Sequence, residues 1–173
     1  LTLLALLVLG VIRIPGAAAA DRLTVRLDWI TQPMHMPFFL AVQRGWFKAA
    51  DLDVAIEDGN GSTTTVQLVG AGRFDIGFAD LSPMAIAKSK GLPVTSVAGI
   101  IRKGGMGLIV PTASRITKLS DLIGKTIIYT AGSLEGPFVE PFFRRNGIPV
   151  DKIRLLNVQA SAKISLYLAG RAD

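Results

Sequence analysis

The chain has 173 residues, half of them hydrophobic, with 19 Lys/Arg against 13 Asp/Glu, one histidine and no cysteine. This length can bury a real core, and the missing cysteines exclude a disulfide scaffold or a thiolate nucleophile within these residues. The basic excess lies in the second half: residues 21–101 carry 7 Lys/Arg and 8 Asp/Glu, residues 102–173 carry 11 and 5.

Leu1 to Ile12 is almost wholly apolar, and Ala17 to Ala20 offers a small-residue cleavage site. Residues 1–20 are read as a secretory signal, since the run is too short for the roughly twenty residues of a membrane span. No cysteine stands at the cleavage site to carry a lipid, so a free, soluble periplasmic protein is expected.

From there strand-like and helix-like runs alternate, which predicts an α/β fold with a mostly parallel sheet. Strands are expected at Thr24–Asp28, Asp53–Glu57, Phe74–Ala79 and Pro93–Ile101. Pro37 suits a helix start, with Phe38, Phe39, Val42 and Trp46 at helical spacing. Ser62 is expected to cap a helix running to about Ala71, and Ser82 one running to Lys90. Three glycines in four positions, Gly104, Gly105 and Gly107, permit large backbone changes. The boundary between two bodies is therefore drawn there: lobe 1 over 21–106, a hinge over 107–111, and lobe 2 over 112–173. Lobe 2 continues with strand Lys125–Thr130, a helix within 136–145, strand Ile153–Val158 and helix Ser161–Ala169.

Several chemistries are disfavoured. There is no Gly-x-Ser-x-Gly elbow, no second histidine for a zinc site, and no Gly-Lys-Ser/Thr to complete a P-loop after Gly59-Asn60-Gly61-Ser62. Lys and Arg are scattered, which argues for a solvated surface and against nucleic acid. Met34-His35-Met36 has the soft donors that suit Cu(I), but three neighbouring residues rarely complete a metal site. No cofactor or metal is expected.

The residues suited to holding a small molecule follow predicted strands, where open α/β sheets place ligands. Asp28 can accept from amino groups, Trp29 can stack a planar ring, and His35 can hydrogen-bond a heteroatom. Gly59 and Gly61 let backbone amides approach a ligand, with Ser62 and Thr63 as donors at a helix N-terminus. Asp58-Gly59 and Asn60-Gly61 are also strong turn dipeptides, so an ordinary turn is the competing reading. Asp80 ends the third strand. Gly132, Ser133 and Glu135 follow the Lys125–Thr130 strand, either facing lobe 1 or capping a helix.

Taken together, Leu27-Asp28-Trp29, His35, Gly45-Trp46-Phe47, Leu52-Asp53-Val54, Gly59-Asn60-Gly61-Ser62, Phe74-Asp75-Ile76-Gly77, Asp121-Leu122-Ile123-Gly124-Lys125 and Gly132-Ser133 resemble a family. It is the periplasmic solute-binding proteins of bacterial ABC importers, in the nitrate, sulfonate, taurine and thiamine-pyrimidine-precursor group. Asp28-Trp29 with His35 is most similar to the pyrimidine-precursor branch, although Thr31-Gln32-Pro33 stands where that branch usually has Pro-Asn after the Trp-x pair. The resemblance implies a two-lobed type II periplasmic-binding fold, with lobe 1 nearly complete and lobe 2 partial. It implies a monomer that closes on a small solute and delivers it to permease and ATPase subunits, and no enzyme activity. Ligand contacts are implied at Asp28, Trp29, Gln32, His35, Gly61, Ser62, Thr63, Asp80, Ser133 and Glu135. The same fold also resembles a fungal-type pyrimidine synthase that consumes its own histidine and needs iron. His35 is the residue which that alternative uses as substrate.

Overall fold

The computed structural model describes residues 20–173, so the expected leader lies outside the described residues except for Ala20. Strand β1 (Asp21–Arg26) leads through a short 3-10 turn at Pro33–His35 into helices α1 (Met36–Gln43) and α2 (Trp46–Ala49). Strand β2 (Leu52–Glu57) follows, then α3 (Ser62–Gly70), β3 (Ile76–Gly77) and α4 (Leu81–Ser89). The strand order is β2-β1-β3, all parallel, with Asp21 opposite Leu52, Arg26 opposite Glu57 and Val25 opposite Ile76. β1 is the central strand, so the chain goes to one side of it with β2 and crosses to the other with β3. That reversal is the switch point at which such sheets open a crevice at their carboxyl ends.

Buried Val25 and Leu27 come from β1 and its exit, and Ala41 and Val66 come from the helices packed on the sheet. β2 alternates half-buried Leu52, Val54 and Ile56 with exposed Asp53, Ala55 and Glu57, the pattern of a strand with one wet face. Phe38, Phe39 and Phe47 are half-buried, but Trp46 is 59% exposed and does not join the helix face expected of it.

A second parallel pair, β4 (Thr126–Tyr129) and β5 (Arg154–Asn157), is joined through α5 (Val139–Arg145) and followed by α6 (Lys163–Leu168). Leu122, Ile127, Phe143, Ile148 and Ile153 form its buried cluster. Among the described residues no helix is long and apolar enough to cross a membrane.

Three local expectations are corrected. Asp28 lies two residues beyond β1, because the chain leaves the ladder at Arg26. The run 93–101 forms no strand: an extended chain needs a ladder partner for its N–H and C=O groups, and none pairs with it among the described residues. Only Val94 of that run is buried. The caps also shift by one or two residues. Gly61, at φ 142°, precedes α3 in place of Ser62, and Asp80 precedes α4 in place of Ser82.

The tightest crossing lies where the loop after β2 passes the exit of β1. A Cβ on Gly59 would stand 1.9 Å from the Leu27 carbonyl oxygen, and that oxygen accepts a 2.7 Å hydrogen bond from the fully buried Thr65 hydroxyl. Replacing Thr65 with Val keeps the volume and removes this donor, so we expect a loss of about 1–2 kcal/mol in urea unfolding. An unchanged midpoint would show that the hydroxyl does not tie α3 to β1.

Candidate functional site

Three strand exits meet at one edge of the first sheet. The Asp28 carbonyl accepts from the Gly61 N–H at 2.7 Å, and the Trp29 carbonyl accepts from the Gly59 N–H at 3.0 Å. The Ser62 hydroxyl donates to the Asp80 carboxylate at 2.8 Å and accepts from the Asp80 N–H at 3.1 Å. The exits of β1, β2 and β3 are therefore bonded to one another in addition to being adjacent.

Above this edge lies a cavity of about 750 Å³ whose wall includes Asp28, Trp29, Gln32, Ser62, Asp80, Ser133 and Glu135. Seven of the ten expected contact residues thus share one space. The other three do not line it, each for a physical reason.

His35 is fully buried behind Asp28. Its Nδ1 accepts from the Gln32 backbone N–H at 3.2 Å, which leaves Nε2–H to donate to the Asp28 carboxylate at 2.8 Å. Phe78 meets the imidazole edge-on at 5.4 Å. The ring therefore orients Asp28. Burial pushes the Asp28 carboxyl above its ordinary value, and the His35 hydrogen bond offsets this only in part; the nearby Asp80 charge adds to the rise.

Gly61 and Thr63 serve a contact between the two sheet bodies. A Cβ on Gly61 would fall 2.0 Å from the Gly132 carbonyl oxygen, and that same oxygen accepts from the Thr64 N–H at 3.2 Å. The Thr63 hydroxyl donates to the Ser133 carbonyl at 3.0 Å. Gly61, expected to let a ligand approach the backbone, lies against the other body, while Gly59 lies against the Leu27 carbonyl of its own, and the start of α3 is partly satisfied by a carbonyl of the other body.

Lys163, the first residue of α6, was not anticipated from sequence. Its ammonium stands over the Trp29 ring at 5.2 Å from the centroid and pairs with the Glu135 carboxylate. No motif or spacing marks it, because the contact depends on how α6 is set against the first sheet. Among the described residues it is the single Lys or Arg on the cavity wall. Tyr129, Phe138 and Tyr167 add aromatic surface to that wall and also went unremarked.

Burial raises the Glu135 carboxyl, but hydrogen bonds from Lys163 and Ser133 more than offset this, so it titrates below the ordinary 4.5. A depressed folded value means that the stabilisation is complete above the unfolded value and is lost as pH falls through the folded one. Thermal melts of the wild type and Glu135→Gln are expected to differ by about 1 kcal/mol near neutral pH and to converge in acid. A gap that persists unchanged into acid would contradict the ion pair.

The alkanesulfonate-binding protein SsuA from Xanthomonas axonopodis pv. citri, solved bound to MOPS, is similar at a TM-score of 0.64 and 18% identity, over 91% of this chain and 54% of that one. The periplasmic aliphatic sulphonate binding protein SsuA from Escherichia coli is similar at 0.57 and 15%, over 88% and 52%. The fold is therefore the two-lobed periplasmic-binding-protein fold, and this chain spans about half the length of those structures. Curated relatives include a 4-amino-5-hydroxymethyl-2-methylpyrimidine phosphate synthase from Saccharomyces cerevisiae, 36% identical over 112 residues, and one from Legionella pneumophila, 33% identical over 109. These alignments cover 64% and 63% of this chain, which spans about a third of the length of those relatives. The expectation of a chain with no enzyme activity is corrected by these relatives, whose names are those of enzymes. The family model described as NMT1/THI5 like matches residues 32–173, and the chain belongs to that family.

Proposed function

We propose that the protein captures a small planar solute between its two lobes, as the substrate-binding component of an ABC-type importer in the periplasm. A pyrimidine precursor of thiamine is the favoured solute, ahead of a sulfonate, taurine or nitrate. The single observation that carries this reading is the convergence of Asp28, Ser62 and Asp80, bonded to one another or to each other's loops, beside the Trp29 face on one cavity wall. Asp28 and Asp80 would accept from amino groups, Trp29 would stack the ring, and His35 would act at one remove by fixing Asp28. Lobe 1 would run over 21–106 and lobe 2 over 112–173, with residues 107–111 acting as the hinge. Delivery of the closed form to permease and ATPase subunits completes the scheme.

A second reading is favoured by the names of the curated relatives: chemistry at the same cleft that produces a pyrimidine phosphate. Its use of His35 as substrate and of iron can be tested against the residues present. His35 is enclosed, with both ring nitrogens engaged, and no group of three His, Cys, Asp or Glu side chains suited to a metal occurs among the described residues. These residues do not fit iron. After incubation with iron and pyridoxal phosphate, mass spectrometry is expected to find the His35 peptide unchanged; loss of imidazole mass from it would establish the second reading.

For solute capture, melting is followed with 4-amino-5-hydroxymethyl-2-methylpyrimidine, taurine, an alkanesulfonate and nitrate. A ligand present at a hundredfold excess over its Kd is expected to stabilise the protein by about 2.7 kcal/mol. Trp29→Ala is expected to abolish the shift caused by the pyrimidine. No shift with any of the four compounds overturns the ligand class, and a shift retained in Trp29→Ala removes the stacking role.

A further inference from the structure

The Trp29–Lys163–Glu135 arrangement says more about the charge of the ligand than the fold does. The cavity wall that includes Trp29 also carries the carboxylates of Asp28, Asp80 and Glu135 and, among the described residues, one ammonium, that of Lys163. That ammonium is already committed to Glu135 and to the indole face. Among the described residues, an anion entering here would find no uncommitted cation on the wall and more than one carboxylate. The other carboxylate of the wall, Asp173, is held by Lys125 at 3.1 Å and by the Thr126 N–H at 2.9 Å.

An indole face paired with a carboxylate is a setting that stabilises a cation. Resting on the premise that this cleft holds a small ligand, we infer that Trp29 and Glu135 form a cation-accepting subsite, that Lys163 is its built-in occupant, and that Lys163 selects for planar ligands carrying positive charge. The Lys163 ammonium stands where the ligand's protonated amino group or ring nitrogen will lie. Lys163 is suited to leave: its side chain is 28% exposed, and a four-carbon stem lets the head swing to water. Glu135 stays behind, held also by the Thr130 N–H at 3.3 Å, and is ready for the incoming charge. An aminopyrimidine protonated on its ring belongs to this class, whereas nitrate and simple sulfonates do not.

The proposal makes Lys163 a competitor of the ligand. The opposite assignment, an anchor for an anionic group, uses the same lysine and predicts the reverse. Two probes with one ring and opposite charge separate them: benzamidinium and benzenesulfonate, titrated into the protein, Lys163→Gln and Lys163→Arg. Trp46→Phe serves as the background, leaving Trp29 as the only indole; Trp46 is exposed and absent from the cavity wall. In unliganded protein, Lys163→Gln is expected to change Trp29 emission, which reads the ammonium–indole contact directly. Benzamidinium is expected to bind, at least fivefold more tightly to Lys163→Gln than to the wild type, with Lys163→Arg close to the wild type. Benzenesulfonate is expected to bind none of them. Lys163→Met, which keeps the apolar stem, guards against a folding defect and is expected to behave as Lys163→Gln.

Benzenesulfonate binding that is lost in Lys163→Gln overturns the proposal while leaving solute capture standing. Benzamidinium affinity that is unchanged or weakened in both Lys163→Gln and Lys163→Met also overturns it, as does failure of benzamidinium to bind any variant. If, in addition, none of the four solutes shifts the melt, the failure is that of solute capture itself.

Discussion

The structure depends on β1 being hydrogen-bonded in parallel on both sides. With β2 on one flank and β3 on the other, the chain must leave all three strands at the same edge, and it must cross the sheet between the second and the third. The space for that crossing is small. Gly59 passes against the Leu27 carbonyl with no room for a side chain, and Thr65 bonds the same carbonyl from the first turns of α3. Asp28, Ser62 and Asp80 are neighbours because this backbone crossing leaves them nowhere else to go.

The same edge is where the two lobes touch. Gly61 lies against Gly132, Thr63 donates to the Ser133 carbonyl, and Lys163 reaches from α6 to the face of Trp29. Polar groups at the strand exits of the first lobe are therefore partly engaged by the second lobe. Burial of Asp28 disfavours its charged form, and His35 compensates only in part. A carboxylate kept in this condition gains from a partner that brings a donor.

Much of this was legible from sequence for one reason: a parallel sheet repeats a simple grammar of apolar strand, polar exit and amphipathic helix. The exits at Asp28, Gly59 to Ser62 and Asp80 could be read from that grammar, and all three meet. What could not be read depends on distances between elements far apart in the chain. His35 looked like a ligand contact because its position before α1 was right, but its ring is buried, bonded to Asp28 and packed against Phe78, which only the placement of these elements makes visible. Gly61 looked like an opening for a ligand because a glycine gives no sign of which backbone approaches it. Lys163 gave no signal, since a single lysine at a helix start is ordinary until the helix is placed. The run 93–101 has strand composition, yet composition supplies no ladder partner.

The central claim is that the strand edge bounded by Asp28, Ser62 and Asp80, under the Trp29 face, is where the solute lies. A crystal structure of the protein with 4-amino-5-hydroxymethyl-2-methylpyrimidine tests it most directly. The account predicts the ring stacked on Trp29, with its amino group donating to Asp28 or Asp80 and Lys163 swung away from the indole. Density for the ring elsewhere, with Lys163 still over Trp29, would contradict it.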